Sequence, residues 1–142
     1  KLQALDVLFE NSNFSYREII TIASILEREG NSEETMKTIS GIFQERLRLG
    51  MPLQADATVG YILDKPLSDL TPEDLEIDSL YNTYTHNGLP PTPIGNPGLQ
   101  AIRAVFFPIE TDYLYYVTDE SGRFYYAETF EKHKDNISLY LR

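Results

Sequence analysis

Two consecutive helical segments, each with its own start and stop signals, constrain the fold of this chain more than any other feature. Ser15 stands where a helix N-cap belongs, and Glu18 follows three residues later, at the spacing of a capping box. Apolar residues then recur at helical spacing and predict a helix over residues 15–29, with Gly30 as its stop. Residues 31–50 have the same organisation, with acidic residues in the first turn and a glycine at the end, and predict a second helix.

The middle of the chain lacks this periodicity. Residues 51–98 contain seven of the eight prolines, and short helices are predicted only around residues 58–63 and after Thr71. No sustained apolar pattern runs through residues 79–98. A structureless loop of about 20 residues inside a compact domain is either functional or disordered. Because this loop contains tyrosines and rigid prolines, we expect it to be functional.

The remaining segments predict three further helices and one β-hairpin. The helices are residues 2–10, a helix with Asn96 as its N-cap, Pro97 as its first residue and Pro108 at its end, and a helix that begins at about Phe130. The hairpin is formed by β-rich runs at 113–118 and 123–127, and its tyrosines are expected to pack the hairpin. The whole chain is therefore predicted to be a single α+β domain over residues 1–142. We expect a helical domain with a small antiparallel β element and a long proline-rich loop.

Composition removes several classes of function. The chain has no cysteine, which excludes thiol nucleophiles, iron–sulfur clusters and zinc held by cysteine. Its two histidines, His86 and His133, are far apart in sequence; His133 is predicted to face solvent, and the role of His86 is left open. A net charge of −10 argues against a nucleic-acid partner, which would require a basic face. Carboxylates remain the main catalytic resource.

Two glutamates near the end of the first capped helix are the candidates. On a helical wheel at about 100° per residue, Glu27 falls about 70° from the apolar centre and Glu29 lies at the other rim. Both could be boundary residues at a frayed helix end. Alternatively, one carboxyl faces a cleft with apolar walls, where a raised pKa lets it donate a proton near neutral pH. The wheel slightly favours Glu27, and it assigns to the opposite, solvated face Arg17, Thr21, Ser24 and Arg28.

Several short motifs occur in order along the chain. They are ASILERE at 23–29, FQERLRLGMPLQADATV at 43–59, YNTY at 81–84, GLPP at 88–91, PI at 93–94 and NPG at 96–98. Taken together, they resemble the motifs of the endolytic murein transglycosylases, the YceG-like family, and the resemblance runs from about residue 16 to about residue 140. Gly30 stands where many members have threonine, and Ala57 stands where many have proline, but neither departure removes a carboxylate.

The resemblance implies cleavage of the bond between N-acetylmuramic acid and N-acetylglucosamine without water. The muramic C6 hydroxyl closes onto C1 and leaves a 1,6-anhydro end. The first glutamate of the motif, Glu27, would be catalytic. Ordinary glycosidases use two carboxylates, but here the substrate supplies the nucleophile, so one carboxyl can serve as acid and then as base. No metal or organic cofactor is implied.

Two polar segments contain the candidate substrate-binding residues. Residues 54–58 are expected to be extended, so alternate side chains would point one way toward sugar hydroxyl and N-acetyl groups. Residues 81–84 offer aromatic faces and polar tips. The alternative for both segments is that they only pin or pack the loop. The candidates are Gln54, Asp56, Thr58, Tyr81, Asn82, Thr83 and Tyr84. On the binding interpretation, Asn82→Ala would lower turnover and leave thermal stability nearly unchanged.

The resemblance also implies a location and partners. Members typically have an N-terminal transmembrane anchor and a LysM-like region before the catalytic part, so we expect a C-terminal catalytic fragment of a single-pass membrane protein that acts outside the cytoplasm. Its partners would be peptidoglycan glycan strands, with peptidoglycan polymerases and penicillin-binding proteins as further candidates. Two alternatives remain: a noncatalytic glycan-binding or scaffold module, and a hydrolase of the same bond.

Overall fold

The computed structural model describes residues 2–141. Its elements, in chain order, are α1 (Leu2–Asn11), α2 (Tyr16–Glu29), α3 (Glu33–Leu49), α4 (Asp56–Leu63), α5 (Leu99–Phe106), β1 (Tyr115–Thr118), β2 (Phe124–Ala127) and α6 (Phe130–Tyr140). Short 3₁₀ turns lie at Leu67–Asp69 and Asp74–Glu76. The α+β prediction is confirmed. Within residues 2–141, no helix combines the length and the apolar character that crossing a membrane requires.

Helix α2 lies at the centre of the core and begins and ends as predicted. The Ser15 side chain accepts a hydrogen bond from the Glu18 backbone N–H, and the Glu18 carboxylate accepts one from the Ser15 N–H. These two bonds form the capping box. At the other end, the Gly30 N–H donates to the carbonyl oxygen of Leu26 at 2.9 Å. Helices α3, α4 and α5 all pack against α2.

The predicted solvated face of α2 is wrong at two positions, because Thr21 and Ser24 are both buried. The proline-rich loop covers this side of the helix, and the Ile94 N–H donates to the Ser24 hydroxyl at 3.0 Å. Each hydroxyl in turn donates to a carbonyl of its own helix: Ser24 to Thr21 at 2.7 Å, and Thr21 to Arg17 at 2.7 Å. Burial of these polar groups is tolerated because their hydrogen bonds are satisfied locally.

Two predicted helix starts differ in the structure. After Thr71, only the 3₁₀ turn Asp74–Glu76 forms, because the Asn82 amide takes the carbonyls of Leu75 and Ile77 that a continuing helix would use. Helix α5 begins at Leu99 with Gly98 as its N-cap, whereas the sequence predicted Asn96 as the cap. Residues 79–98 contain no helix or strand, as expected.

The hairpin closes one side of the helical core. Strands β1 and β2 are antiparallel, with Tyr116 opposite Tyr126, and α6 packs on both strands. The turn between them is fixed to the junction of α2 and α3, because the Asn31 amide donates to the Gly122 carbonyl at 2.8 Å. This contact brings the hairpin against the C-terminal end of α2.

Candidate active site

A cavity of about 600 Å³ opens where the end of α2, the start of α4 and the hairpin meet. Glu29, the last residue of α2, lines it. Its walls also include Gln54 and Asp56 beside the start of α4, Tyr84 from the long loop and Tyr116 from β1. Three other parts of the chain therefore line the same cavity as the Glu29 carboxyl group.

Both carboxylate oxygens of Glu29 accept hydrogen bonds. The Tyr116 hydroxyl donates to Oε1 at 2.6 Å, and the Ala57 N–H donates to Oε2 at 2.8 Å. Ala57 is in the first turn of α4, where backbone N–H groups have no partner within the helix. The Tyr116 ring packs against Phe43 and Phe124, with centroid distances of 6.1 and 6.2 Å. The carboxyl group is therefore held by donors that are themselves fixed.

The electrostatic environment of Glu29 suits proton transfer. Burial raises its pKa to about 7, although the hydrogen bonds from Tyr116 and Ala57 lower it, and the nearby charge of Asp56 adds to the increase. Near neutral pH, both the protonated and the ionised forms of Glu29 are therefore populated. Such a group can act both as a general acid and as a general base.

Glu27 lies elsewhere. It is exposed and does not line this cavity, and its Oε1 accepts a 2.7 Å hydrogen bond from the Gly98 N–H. The wheel's preference for Glu27 as the glutamate at an apolar wall is wrong. The walls around Glu29 come from α4, the long loop and the hairpin, which the periodicity of α2 does not describe. The catalytic role that the family resemblance gives to Glu27 stays a prediction.

Three of the seven candidate binding residues line the cavity: Gln54, Asp56 and Tyr84. The expected extended run over residues 54–58 does not form, because α4 begins at Asp56. Gln54 instead has a left-handed φ of 53° and remains exposed. The Tyr84 hydroxyl donates to the Asp56 carboxylate, and burial together with the Asp56 charge raises the pKa of Tyr84, so this phenol stays protonated.

The other four candidates hold the long loop in place. Thr58 and Thr83 are buried, and their hydroxyl oxygens lie 2.9 Å apart. Asn82 is fully buried; its amide donates to two carbonyls, and its Oδ1 accepts from the Tyr84 N–H at 2.9 Å. The half-buried Tyr81 bonds Thr92 at 2.8 Å through its hydroxyl. These contacts match the pinning alternative, and none of the four lines the cavity.

Arg46 and His133 also line the cavity, although neither was among the candidates. Arg46 is buried and donates to the carbonyls of Leu114 at 2.8 Å and Pro52 at 2.7 Å. His133 is half-buried, not solvent-facing, because α6 places its ring on that of Tyr115 with centroids 5.1 Å apart. The contacts of Arg46 with Leu114 and of His133 with Tyr115 join different elements of the fold, so no local pattern could have revealed them. Within residues 2–141, no cluster of three or more histidine, aspartate or glutamate side chains is arranged to hold a metal ion.

Comparison with known proteins identifies the family. The sequence profile of the YceG-like family matches residues 2–139. A protein of Bacillus subtilis named endolytic murein transglycosylase is 36% identical over 132 residues, which cover 93% of this chain and 37% of the relative. A protein of the same name from Streptococcus pneumoniae is 37% identical over 138 residues, which cover 93% of this chain and 25% of that protein.

A solved structure agrees with these matches. The crystal structure of a YceG-like protein from Listeria monocytogenes superimposes with a TM-score of 0.88 at 37% identity, covering 94% of this chain and 44% of that one. The chain thus spans about a quarter to under half of the length of the proteins it matches. The match of the family model over nearly the whole chain, together with these relatives, shows that the chain belongs to the YceG-like family.

Proposed function

We propose that this chain cleaves the bond between N-acetylmuramic acid and N-acetylglucosamine in peptidoglycan by transglycosylation, with Glu29 as the proton-transferring residue. The names of the relatives support the substrate and the reaction class. The observation that carries the assignment to Glu29 is its carboxyl group at the wall of the cavity, with a pKa of about 7.

In the proposed reaction, one carboxyl group first donates a proton and then accepts another. Protonated Glu29 donates to the glycosidic oxygen as the bond from that oxygen to the muramic C1 breaks. The resulting carboxylate then removes the proton of the muramic C6 hydroxyl as that oxygen bonds to C1, which forms the 1,6-anhydro end and regenerates protonated Glu29. The Tyr116 hydroxyl and the Ala57 N–H stabilise the carboxylate between the two steps.

Asp56, Gln54 and Tyr84 are the proposed substrate contacts, because their side chains reach the same cavity. Thr58, Tyr81, Asn82 and Thr83 contribute on this proposal by holding the loop that carries Tyr84. The chain would act in the cell wall outside the cytoplasmic membrane, with peptidoglycan polymerases and penicillin-binding proteins as candidate partners.

The test is product analysis on defined glycan strands with the wild-type chain, Glu29→Gln and Glu27→Gln. The wild type should release 1,6-anhydro ends, which are lighter than hydrolytic ends by one water. Loss of the transferable proton in Glu29→Gln should lower the rate on the order of 10²–10⁴-fold, whereas Glu27→Gln should keep most of the activity. An active Glu29→Gln with an inactive Glu27→Gln would overturn the assignment. Hydrolytic ends would indicate a hydrolase, and binding without any product would indicate a glycan-binding module.

A further inference from the structure

A second cavity adjoins the one at Glu29. Its volume is about 620 Å³, and the two cavities share Arg28 and Leu67 in their walls. The second cavity follows the C-terminal end of α4, and we call it the α4 arm. It is lined by Arg28, Gly60, Tyr61, Asp64, Lys65 and Leu67, together with Pro66. A strand bound at Glu29 would therefore have room to continue past Arg28 into the α4 arm.

Tyr61 gives the α4 arm an aromatic surface. Its side chain is 43% exposed, although it belongs to a well-packed helix. The Tyr61 ring lies 5.4 Å from that of Tyr81, and the Tyr81 hydroxyl is held by Thr92 at 2.8 Å. The exposed ring is therefore supported from behind. Such a face suits the apolar side of a sugar ring, because an aromatic side chain offers a large apolar area at a fixed position.

Arg28 gives the α4 arm its unpaired charge. The residue is exposed, and no hydrogen bond or ion pair of its guanidinium is found in the part of the chain from residue 2 to 141. Lys65, the other cation of the arm, is already paired with Asp74 at 2.8 Å, and Asp64 contributes one carboxylate. In a chain of net charge −10, an available guanidinium beside the cleft favours an anionic ligand. Its planar fork matches a carboxylate.

Given the proposed function, on which this inference rests, we propose that the α4 arm binds a saccharide unit next to the scissile bond and that Arg28 binds a carboxylate carried by an N-acetylmuramic acid unit. Two sources supply that group chemically. A peptide stem carries carboxylates of its own, and a muramic unit stripped of its peptide exposes the carboxylate of its lactyl group. The arm would thus make cleavage sensitive to how the muramic units are substituted.

The experiment compares three matched substrates: peptide-bearing strands, strands stripped by an amidase, and stripped strands whose lactyl carboxylates are capped as methylamides. For Arg28→Gln we expect KM to rise about fivefold to tenfold on the strands that carry the recognised carboxylate, with kcat nearly unchanged. The increase should shrink at high salt, because the contact is near the surface. On capped strands, the variant and the wild type should have the same KM. The substrate that shows the increase identifies the source of the carboxylate.

Arg17→Gln is the matched control, because it removes the same charge from an exposed position at the other end of α2, away from the cleft. It should behave as wild type on all three substrates. Tyr61→Ala should raise KM on all three, and Tyr61→Phe should restore it. The inference is overturned if Arg28→Gln has the same KM as the wild type on both peptide-bearing and stripped strands. It is also overturned if the substitution raises the KM for capped strands by the same factor. If the wild type cleaves no strand, the proposed function fails; the carboxylate contact is then decided by direct binding of the three strands to the wild type and Arg28→Gln.

Discussion

The Tyr116 hydroxyl donates a 2.6 Å hydrogen bond to Glu29 Oε1 across 87 residues of the chain. This bond joins the hairpin to the last residue of the central helix, and the Asn31 amide fixes the hairpin turn to the neighbouring junction. The β element is therefore a positioning part of the site as well as a cover for the core.

Replacing Tyr116 with phenylalanine tests this role. The hydrogen bond lowers the pKa of Glu29, so its loss should raise that pKa further and move the alkaline limb of the pH–rate profile to higher pH. The rate at neutral pH should fall by roughly tenfold, because the carboxylate form loses a stabilising donor. The measurement is kcat/KM against pH on defined glycan strands.

Tyr125→Phe is the control for this variant. Tyr125 lies on the same hairpin, but its hydroxyl donates to Asp119 at 2.9 Å and does not contact Glu29. Its alkaline limb should coincide with that of the wild type. If Tyr116→Phe leaves the limb in place or moves it to lower pH, the Tyr116 bond does not govern the proton affinity of Glu29.

Glu29 should also make the stability of the fold depend on pH. Its folded pKa, raised by burial from 4.5 to about 7, exceeds that of the unfolded chain, so the unfolded chain loses its proton first as pH rises. The Glu29 contribution to the free energy of unfolding is present below about pH 4.5, decreases up to about pH 7, and amounts to roughly 3 kcal/mol. Glu29→Gln should therefore melt at a higher temperature than the wild type at pH 7.5, with little difference at pH 4.5. If the melting temperatures of Glu29→Gln and the wild type differ by the same amount at every pH in this range, burial does not raise the pKa of Glu29.

The sequence predicted what local chemistry determines. The Ser15 cap and the Gly30 stop depend on neighbours within one turn, so the bounds of α2 agree with the structure. The choice between Glu27 and Glu29 depends on α4, the long loop and the hairpin, all distant along the chain. A helical wheel contains none of this information. Thr21 was misplaced for a related reason, because the wheel does not show that its hydroxyl bonds its own helix and permits burial.

Asn82 provides a test of the pinning interpretation. Its side chain is fully buried, donates to the carbonyls of Leu75 and Ile77 at 3.0 and 2.8 Å, and accepts from the Tyr84 N–H. Asn82→Ala should therefore lower the free energy of unfolding by about 1 to 3 kcal/mol, because two partly buried carbonyls lose their partners. The sequence had suggested nearly unchanged stability. Asn87→Ala, at an exposed amide of the same loop, should leave the melting temperature unchanged.

His133 should destabilise the fold on the acidic side. Burial and the charge of Arg46 lower its pKa below the ordinary 6.5, and its buried Nδ1 has no hydrogen-bond partner among residues 2–141. The folded chain therefore holds this ring neutral, and its contribution to stability is complete above about pH 6.5 and is lost as pH falls toward the lowered folded pKa. His133→Phe keeps a ring stacked on Tyr115 but cannot be protonated. Thermal melting from pH 7.5 to pH 5 should show the wild type losing stability relative to His133→Phe. A difference between the two that stays constant over this range would mean that protonation of His133 does not oppose the packing of α6 on the hairpin.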